Sequence, residues 1–261
     1  MVGPTTAGRS RPYGVITPAG GDTSAPLNRK KRLSLIARFT SLQGKRVLDA
    51  GCGAGGYIAP LLALGADVRG IEWDASKVAR FGLENPREAG RVVQGDLAHM
   101  PYPSGSFDVV ILNEVLEHVP DDAAACREVG RVLGTNGVAI IFSPNRLYPF
   151  ETHGVILRRS GRPLPFSVPF IPYVPLSPGR HLFIYSARNY FPGELRRLVH
   201  GAGFDILHTG YVWQTFENIS NRQPMMIRAL RPLLRGIASA LERVPLVRML
   251  GVSQVVVARR G

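Results

Sequence analysis

Along the first 145 residues, short apolar runs alternate with amphipathic stretches, and this spacing predicts strands alternating with helices. Residues 28–42 can form a helix with Leu33, Ile36, Ala37 and Phe39 on its apolar side. Strands are expected at residues 45–50, 67–72, 91–94 and 107–113. The fourth carries a continuous Val-Val-Ile-Leu run, as a strand buried on both faces would. Helices are expected at residues 57–64, from the Asp74-Ala75-Ser76-Lys77 turn toward Phe81, and from an Asp121 cap to about Leu133. Gly134-Thr135-Asn136-Gly137 reads as a turn before a fifth strand at 138–143. A helix at 186–202, a sixth strand at 203–213 and a last strand at 251–260 follow. The expected fold class is α/β, with a doubly wound, mostly parallel sheet.

Two segments break this rhythm. Residues 144–180 hold eight prolines among Phe, Tyr, Val and Ile, which excludes a regular helix or a central strand. A long apolar loop in a compact domain usually serves a site, so this proline-rich stretch is read as an acceptor-site segment or lid. Residues 214–250 form an insertion before the last strand. Met226, Leu230, Leu233, Leu234, Ile237, Leu241 and Val244 recur near helical spacing, with Arg228, Arg231, Arg235, Arg243 and Arg248 between them. Pro232 and Pro245 divide it into short helices. Such a basic amphipathic pattern suits an anionic bilayer, but packing of the same stripe over the edge of the sheet is the favoured reading. Residues 1–26 read as a flexible arm, and 27–261 as one domain.

Composition narrows the class. A 45% hydrophobic content in 261 residues supports one sizeable core. Two cysteines, Cys52 and Cys126, give no disulfide framework, and a reducing cytoplasm is the expected compartment. The first 21 residues lack the apolar segment of a secretory leader, and no apolar run reaches the length of a membrane span. The net charge of +13 divides as +8 over residues 1–46, −5 over 47–150 and +10 over 151–261. An acidic centre suits a cationic ligand. Basic flanks suit an anionic partner: a phospholipid surface, a phosphorylated substrate or RNA.

The chemistry concentrates in Val47-Leu48-Asp49-Ala50-Gly51-Cys52-Gly53-Ala54-Gly55-Gly56, an apolar strand ending in a carboxylate and a glycine-rich turn. Gly51, Gly53 and Gly56 also satisfy the dinucleotide pattern G-x-G-x-x-G. Asp49 divides the two readings. It would repel a pyrophosphate and attract a ligand carrying an ammonium and a sulfonium. With this V-L-D-x-G-C-G-x-G motif the chain resembles the class I S-adenosylmethionine-dependent methyltransferases, of the type 11 or ubiquinone-menaquinone-methyltransferase-like kind. The resemblance covers residues 44–145.

That resemblance implies a Rossmann-like sheet of seven strands, the last antiparallel, with S-adenosyl-L-methionine as cofactor. Asp49, Gly51, Cys52, Gly53 and Gly55 would meet its methionine portion, where side chains would block close approach. Glu72, ending the second strand, can accept both ribose hydroxyl hydrogens, and Trp73 would flank the adenine. By resemblance, Asp96 accepts a hydrogen bond from the adenine amino group, Leu97 adds an apolar contact, and Asn113 reaches the methionine portion.

Transfer to oxygen needs a base, and His118 and His153 lie on the expected acceptor side. No metal is required in that reading. In the alternative, Glu114, Glu117, His118 and His181 echo the E-x-x-E-H…H pattern of metal-dependent methyltransferases, among them small-RNA 2′-O-methyltransferases. The expected acceptor is a hydrophobic or lipid-linked small molecule, methylated at oxygen, with peripheral contact to an anionic membrane. The alternatives are metal-assisted RNA 2′-O-methylation and a non-catalytic cofactor-binding subunit. The apolar segment after residue 144 disfavours nucleic acid, and nothing in the sequence fixes an oligomeric state.

Overall fold

The computed structural model describes residues 26–217 and 229–261. The arm expected over 1–26 lies outside them except for Pro26, as do Met226 and Arg228 of the insertion. Seven strands form one sheet in the order β3-β2-β1-β4-β5-β9-β8. They are β1 (Arg46–Ala50), β2 (Asp67–Glu72), β3 (Val92–Gln94), β4 (Phe107–Asn113), β5 (Leu133–Pro144), β8 (Phe204–Val212) and β9 (Ser253–Arg260). Strands β1 to β5 pair in parallel, and β9 runs antiparallel between β5 and β8, as expected. A second, two-stranded ribbon joins β6 (Val155–Leu157) to β7 (Phe183–Tyr185).

Strand periodicity explains the layers. In β1, Leu48 and Ala50 face one side with Val110 and Leu112 of β4; Val47 faces the other with Val109 and Ile111. The first face is covered by α4 (Asp122–Val132) and α6 (Pro192–Gly201), through Cys126, Val129, Leu195 and Val199. The second is covered by α1 (Pro26–Phe39), α2 (Ile58–Ala63) and α3 (Ala75–Glu84), through Ile36, Leu61 and Phe81. Burying each such side chain contributes about 1.5–3 kcal/mol. Strand order reverses between β1 and its neighbours β2 and β4, so a crevice opens beyond the C-terminal ends of those strands.

Several expectations are corrected. The buried face of α1 holds Asn28, Arg32 and Ile36, at i, i+4 and i+8, rather than the apolar residues alone. Its start is fixed by Glu217, whose carboxylate accepts the backbone N–H groups of Leu27 and Asn28, both at 2.8 Å. The turn at Gly134–Gly137 becomes a bulge within β5: Leu133 pairs with Phe107 and Val138 with Val109, with Asn136 at φ 61°. Residues 186–191 are not helical, because α6 begins only at Pro192, where Glu194 accepts the Phe191 backbone N–H at 2.9 Å. Within the proline-rich segment, α5 (Leu176–Leu182) is helical despite Pro178, which sits in its first turn where no intrahelical donor is lost.

The insertion forms α7 (Arg231–Leu241), with Pro232 in its first turn, followed by a 3-10 turn at Val247–Leu250. The turn lies against the edge strand β8, with Trp213 Nε1 donating to the Arg248 carbonyl at 3.1 Å, whereas α7 keeps much of its apolar stripe outward. Ala238 is buried, while Leu230, Leu233 and Ile237 are 41%, 59% and 46% exposed. Lys31 of α1 holds Glu242 at 2.6 Å, which places the end of α7 beside α1. Among the described residues, no helix is long and apolar enough to cross a membrane.

Candidate active site

The glycine turn leaves β1 as a chain of tight backbone contacts. Gly51 and Cys52 donate to the Ile71 carbonyl at 2.8 and 3.1 Å, and Gly55 donates to Cys52 at 2.9 Å. Gly51, Gly53 and Gly55 all adopt positive φ. Their surroundings differ. A Cβ on Gly55 would stand 2.2 Å from Phe81 and one on Gly51 2.5 Å from Val115, whereas one on Gly53 would meet nothing within 4 Å. The first two glycines therefore serve packing, and Gly53 borders the open crevice. Cys52 is buried, and burial pushes its thiol well above the usual range, so it is a small packing residue rather than a nucleophile.

Two carboxylates frame this turn. Glu72 closes on it: its Oε2 accepts from Gly53 N at 3.0 Å, its Oε1 accepts from Asp74 N at 3.0 Å, and Lys77 lies 3.8 Å away. Each oxygen keeps a further lone pair for a ligand hydroxyl. Asp49 is 2% exposed, and its Oδ2 has no hydrogen-bond partner. Burial, reinforced by the Glu72 charge, raises the Asp49 carboxyl to about 7. A buried, unpaired carboxylate oxygen beside an open glycine is what a ligand ammonium would complete, so these residues fit S-adenosylmethionine.

The other expected contacts stand around the crevice with different commitments. Trp73 is 40% exposed at the end of β2, and Leu97 is buried. Asp96 accepts from Ala98 N at 2.9 Å through Oδ1. The Asn113 side chain is engaged by Arg32, whose Nη1 donates to its Oδ1 at 2.5 Å. Arg32 was not foreseen in the sequence. It is 2% exposed, packs 4.7 Å over the Phe142 ring, and donates through Nη2 to Glu114 Oε1 at 2.8 Å.

On the acceptor side, β4 is followed by Glu114, held at φ 58°, and a 3-10 turn at Leu116–His118. The structure brings His118 and His153 together, with ring centroids 5.1 Å apart, and adds Glu117. His153 Nε2 faces Glu117 Oε1 at 3.6 Å, and its Nδ1 lies 3.0 Å from Thr152 Oγ1. Its backbone N–H donates to Glu151 at 3.0 Å, and Glu151 also accepts from Asn189 at 3.1 Å. Glu117 is fully buried, and neither carboxylate oxygen has a hydrogen bond. Burial and then the Glu114 charge push its carboxyl well above the usual range. Burial also lowers the His153 imidazole, against the pull of Glu114 and Glu151. Burial works against charge on Glu114 too, but Arg32 and His153 outweigh it and hold that carboxyl below its ordinary value.

The metal pattern read from sequence is regrouped. Glu114 is taken by Arg32 and by the Ser253 hydroxyl, and His181 is exposed on α5. His153 takes the place that His181 had in that pattern: one ligand atom each from Glu117, His118 and His153 lies within 4.8 Å of the others. A separate cleft of ≈ 290 Å³, lined by Arg46, Asp67, Arg69 and Tyr102 among others, opens at the opposite end of the strands.

Comparison with known proteins agrees with this geometry. Residues 48–141 match the family described as a methyltransferase domain. A probable S-adenosylmethionine-dependent methyltransferase of Mycolicibacterium smegmatis is 33% identical over 169 residues, covering 64% of this chain and 54% of that protein. A ubiquinone biosynthesis O-methyltransferase of Xanthomonas oryzae pv. oryzae is 40% identical over 120 residues, covering 44% of this chain and 49% of that protein. The chain thus spans about half the length of these relatives. The crystal structure of a Mesorhizobium loti S-adenosylmethionine-dependent methyltransferase shares the fold, at a TM-score of 0.57 and 23% identity over 87% of this chain and 96% of that one. Matched motif, strand order and carboxylate-framed glycine turn together make residues 48–141 the core of a class I, Rossmann-like S-adenosylmethionine-dependent methyltransferase domain, with S-adenosylmethionine as its cofactor.

Proposed function

We propose that this protein transfers a methyl group to an oxygen of an apolar, lipid-like small molecule. The observation that carries the reading is the meeting of two sites at adjacent strand tips. The Asp49–Gly53–Glu72 frame lies at β1 and β2, and the His118–His153 pair lies beyond β4 and β5. Bound S-adenosylmethionine supplies an electrophilic sulfonium methyl. The ionised Asp49 holds the donor's ammonium, Glu72 takes the ribose hydroxyls, and Gly53 leaves room for the methionine portion. An acceptor oxygen must lie in line with the breaking sulfur–carbon bond, and its proton must leave. The His118–His153 pair is placed to receive that proton.

The 40% identity to a ubiquinone biosynthesis O-methyltransferase supports oxygen as the acceptor atom. Apolar side chains of the 144–180 segment support a greasy acceptor: Phe170 is 61% exposed and Tyr173 36%, their rings stacked at 5.7 Å. The exposed Leu233 and Ile237 of α7, flanked by Arg231 and Arg235, support approach to an anionic membrane surface.

The test is transfer of label from methyl-labelled S-adenosylmethionine to prenylated phenols, to organic extracts of cells and to small RNA. Label in the phenol or extract is expected. Label confined to RNA, or donor binding with no label in any acceptor, overturns the proposal.

A further inference from the structure

We propose that Glu117, His118 and His153 form a binding site for a divalent transition-metal ion of the zinc class. Three observations meet at one place. First, the donor set is two imidazoles and one carboxylate, which suits zinc, cobalt or iron rather than magnesium or calcium. Second, the Glu117 side chain is 0% exposed with both oxygens lacking a hydrogen bond, and it is aimed at the imidazoles. A full carboxylate without partners in a protein interior is costly, and an ion would supply what is missing. Third, the imidazole is oriented by outer contacts. His153 Nδ1 is engaged by Thr152 Oγ1 at 3.0 Å, and the His153 and Thr152 backbone N–H groups both donate to Glu151. That leaves Nε2 facing Glu117, the arrangement by which an outer hydrogen bond fixes which imidazole nitrogen binds metal.

Size is consistent. Metal–ligand bonds of about 2 Å put ligand atoms about 3–4 Å apart, against the separations of up to 4.8 Å found here. Rotamer-scale closure is enough. Three protein ligands would leave a fourth position open toward the crevice, for water or an acceptor oxygen. The site differs from the four residues the sequence pattern suggested. Arg32 neutralises Glu114 at 2.8 Å and Ser253 engages the same oxygen, which removes Glu114 from the donor set. His181 is exposed on α5 and stands outside the cluster. Glu117 therefore brings one negative charge, and the charge of the Arg32–Glu114 pair cancels beside it.

The inference goes beyond the methyl-transfer reading: with an ion bound, His118 and His153 would serve as ligands rather than as the base, and the ion would instead favour loss of the acceptor hydroxyl's proton to solvent. It is separable from that reading, because metal binding is read without any acceptor. Tag-free protein stripped of metal is titrated with Co2+ and followed by its visible d–d absorption, then challenged with Zn2+. The expected result is one equivalent of cobalt with a visible band that zinc abolishes. Glu117→Gln, His118→Ala and His153→Ala should each weaken cobalt binding at least tenfold, while His181→Ala leaves it unchanged. Circular dichroism and calorimetric binding of S-adenosylhomocysteine establish that each variant is folded. No cobalt band in the wild type, or a band that survives in folded His118→Ala and His153→Ala proteins, overturns the site. Loss on His181→Ala overturns the choice of ligands. If label transfer to oxygen acceptors fails while cobalt binds as described, the function proposed above falls and the metal site stands.

Discussion

Lowering the pH from 7 to 6 should weaken cofactor binding about fivefold through a single residue, Asp49. Its carboxyl is raised to about 7 by burial and by the Glu72 charge. At pH 7 about half of the protein carries the ionised Asp49, and at pH 6 about a tenth, a difference of about 1 kcal/mol in binding. The sign follows from the ligand. A donor ammonium binds the ionised form, so affinity is lost as pH falls through the raised pKa, and the slope approaches tenfold per unit at lower pH. At higher pH, where the ligand's own ammonium loses its proton, affinity declines again. The assay is calorimetry with S-adenosylhomocysteine, which keeps the ammonium and is not consumed. Asp49→Asn should lose roughly 1–3 kcal/mol at pH 7, the scale for a charged hydrogen bond, and should show no step between pH 6 and 7. Glu72→Gln should bind more weakly but keep the step, displaced to lower pH, because burial still holds Asp49 up while the Glu72 charge is gone. Equal affinity at pH 6 and 7 in the wild type, or a step that persists in Asp49→Asn, would refute the reasoning.

Three further outcomes follow from the geometry. Gly53→Ala should cost cofactor affinity with a stability loss of only about 1–2 kcal/mol from its positive φ, whereas Gly55→Ala should unfold far more easily because its Cβ meets Phe81 at 2.2 Å; denaturant melts and calorimetry separate the two. Arg32→Ala should destabilise by about 3–5 kcal/mol by stranding the buried Glu114, and Arg32→Met with Glu114→Gln should recover part of that loss in the same melts. Leu233→Glu with Ile237→Glu should abolish flotation on anionic vesicles at moderate salt without changing S-adenosylhomocysteine binding, and equal flotation of variant and wild type would remove α7 from any membrane contact.

The central sheet was legible because strands buried on both faces must be apolar throughout, as Val109 to Leu112 are, and because Asp49 and the glycine turn combine sign and shape. The acceptor side was legible only in pieces. His118 and His153 lie 35 positions apart in sequence, and only the adjacency of the β4 and β5 tips brings them together. Arg32 was hidden in the basic run Arg29-Lys30-Lys31-Arg32, which resembles a solvated face. Its i, i+4 spacing with Asn28 and Ile36 was the available signal that it turns inward. Residues 186–191 looked helical because they join a true helical pattern. In the structure their backbone serves the site instead: Arg188 N donates to the Glu117 carbonyl at 2.9 Å, and Arg146 N donates to the Tyr190 carbonyl at 3.0 Å. The apolar stripe of α7 has the same periodicity whether it packs or stays exposed, so pattern alone could not assign its face.

The most direct measurement is a crystal structure of the protein soaked with S-adenosylhomocysteine. The account requires the ligand's ammonium within hydrogen-bond distance of Asp49 Oδ2, its ribose hydroxyls on Glu72, and its chain lying over Gly53. Ligand density at any other place, or a crevice that stays empty at saturating concentration, would contradict it.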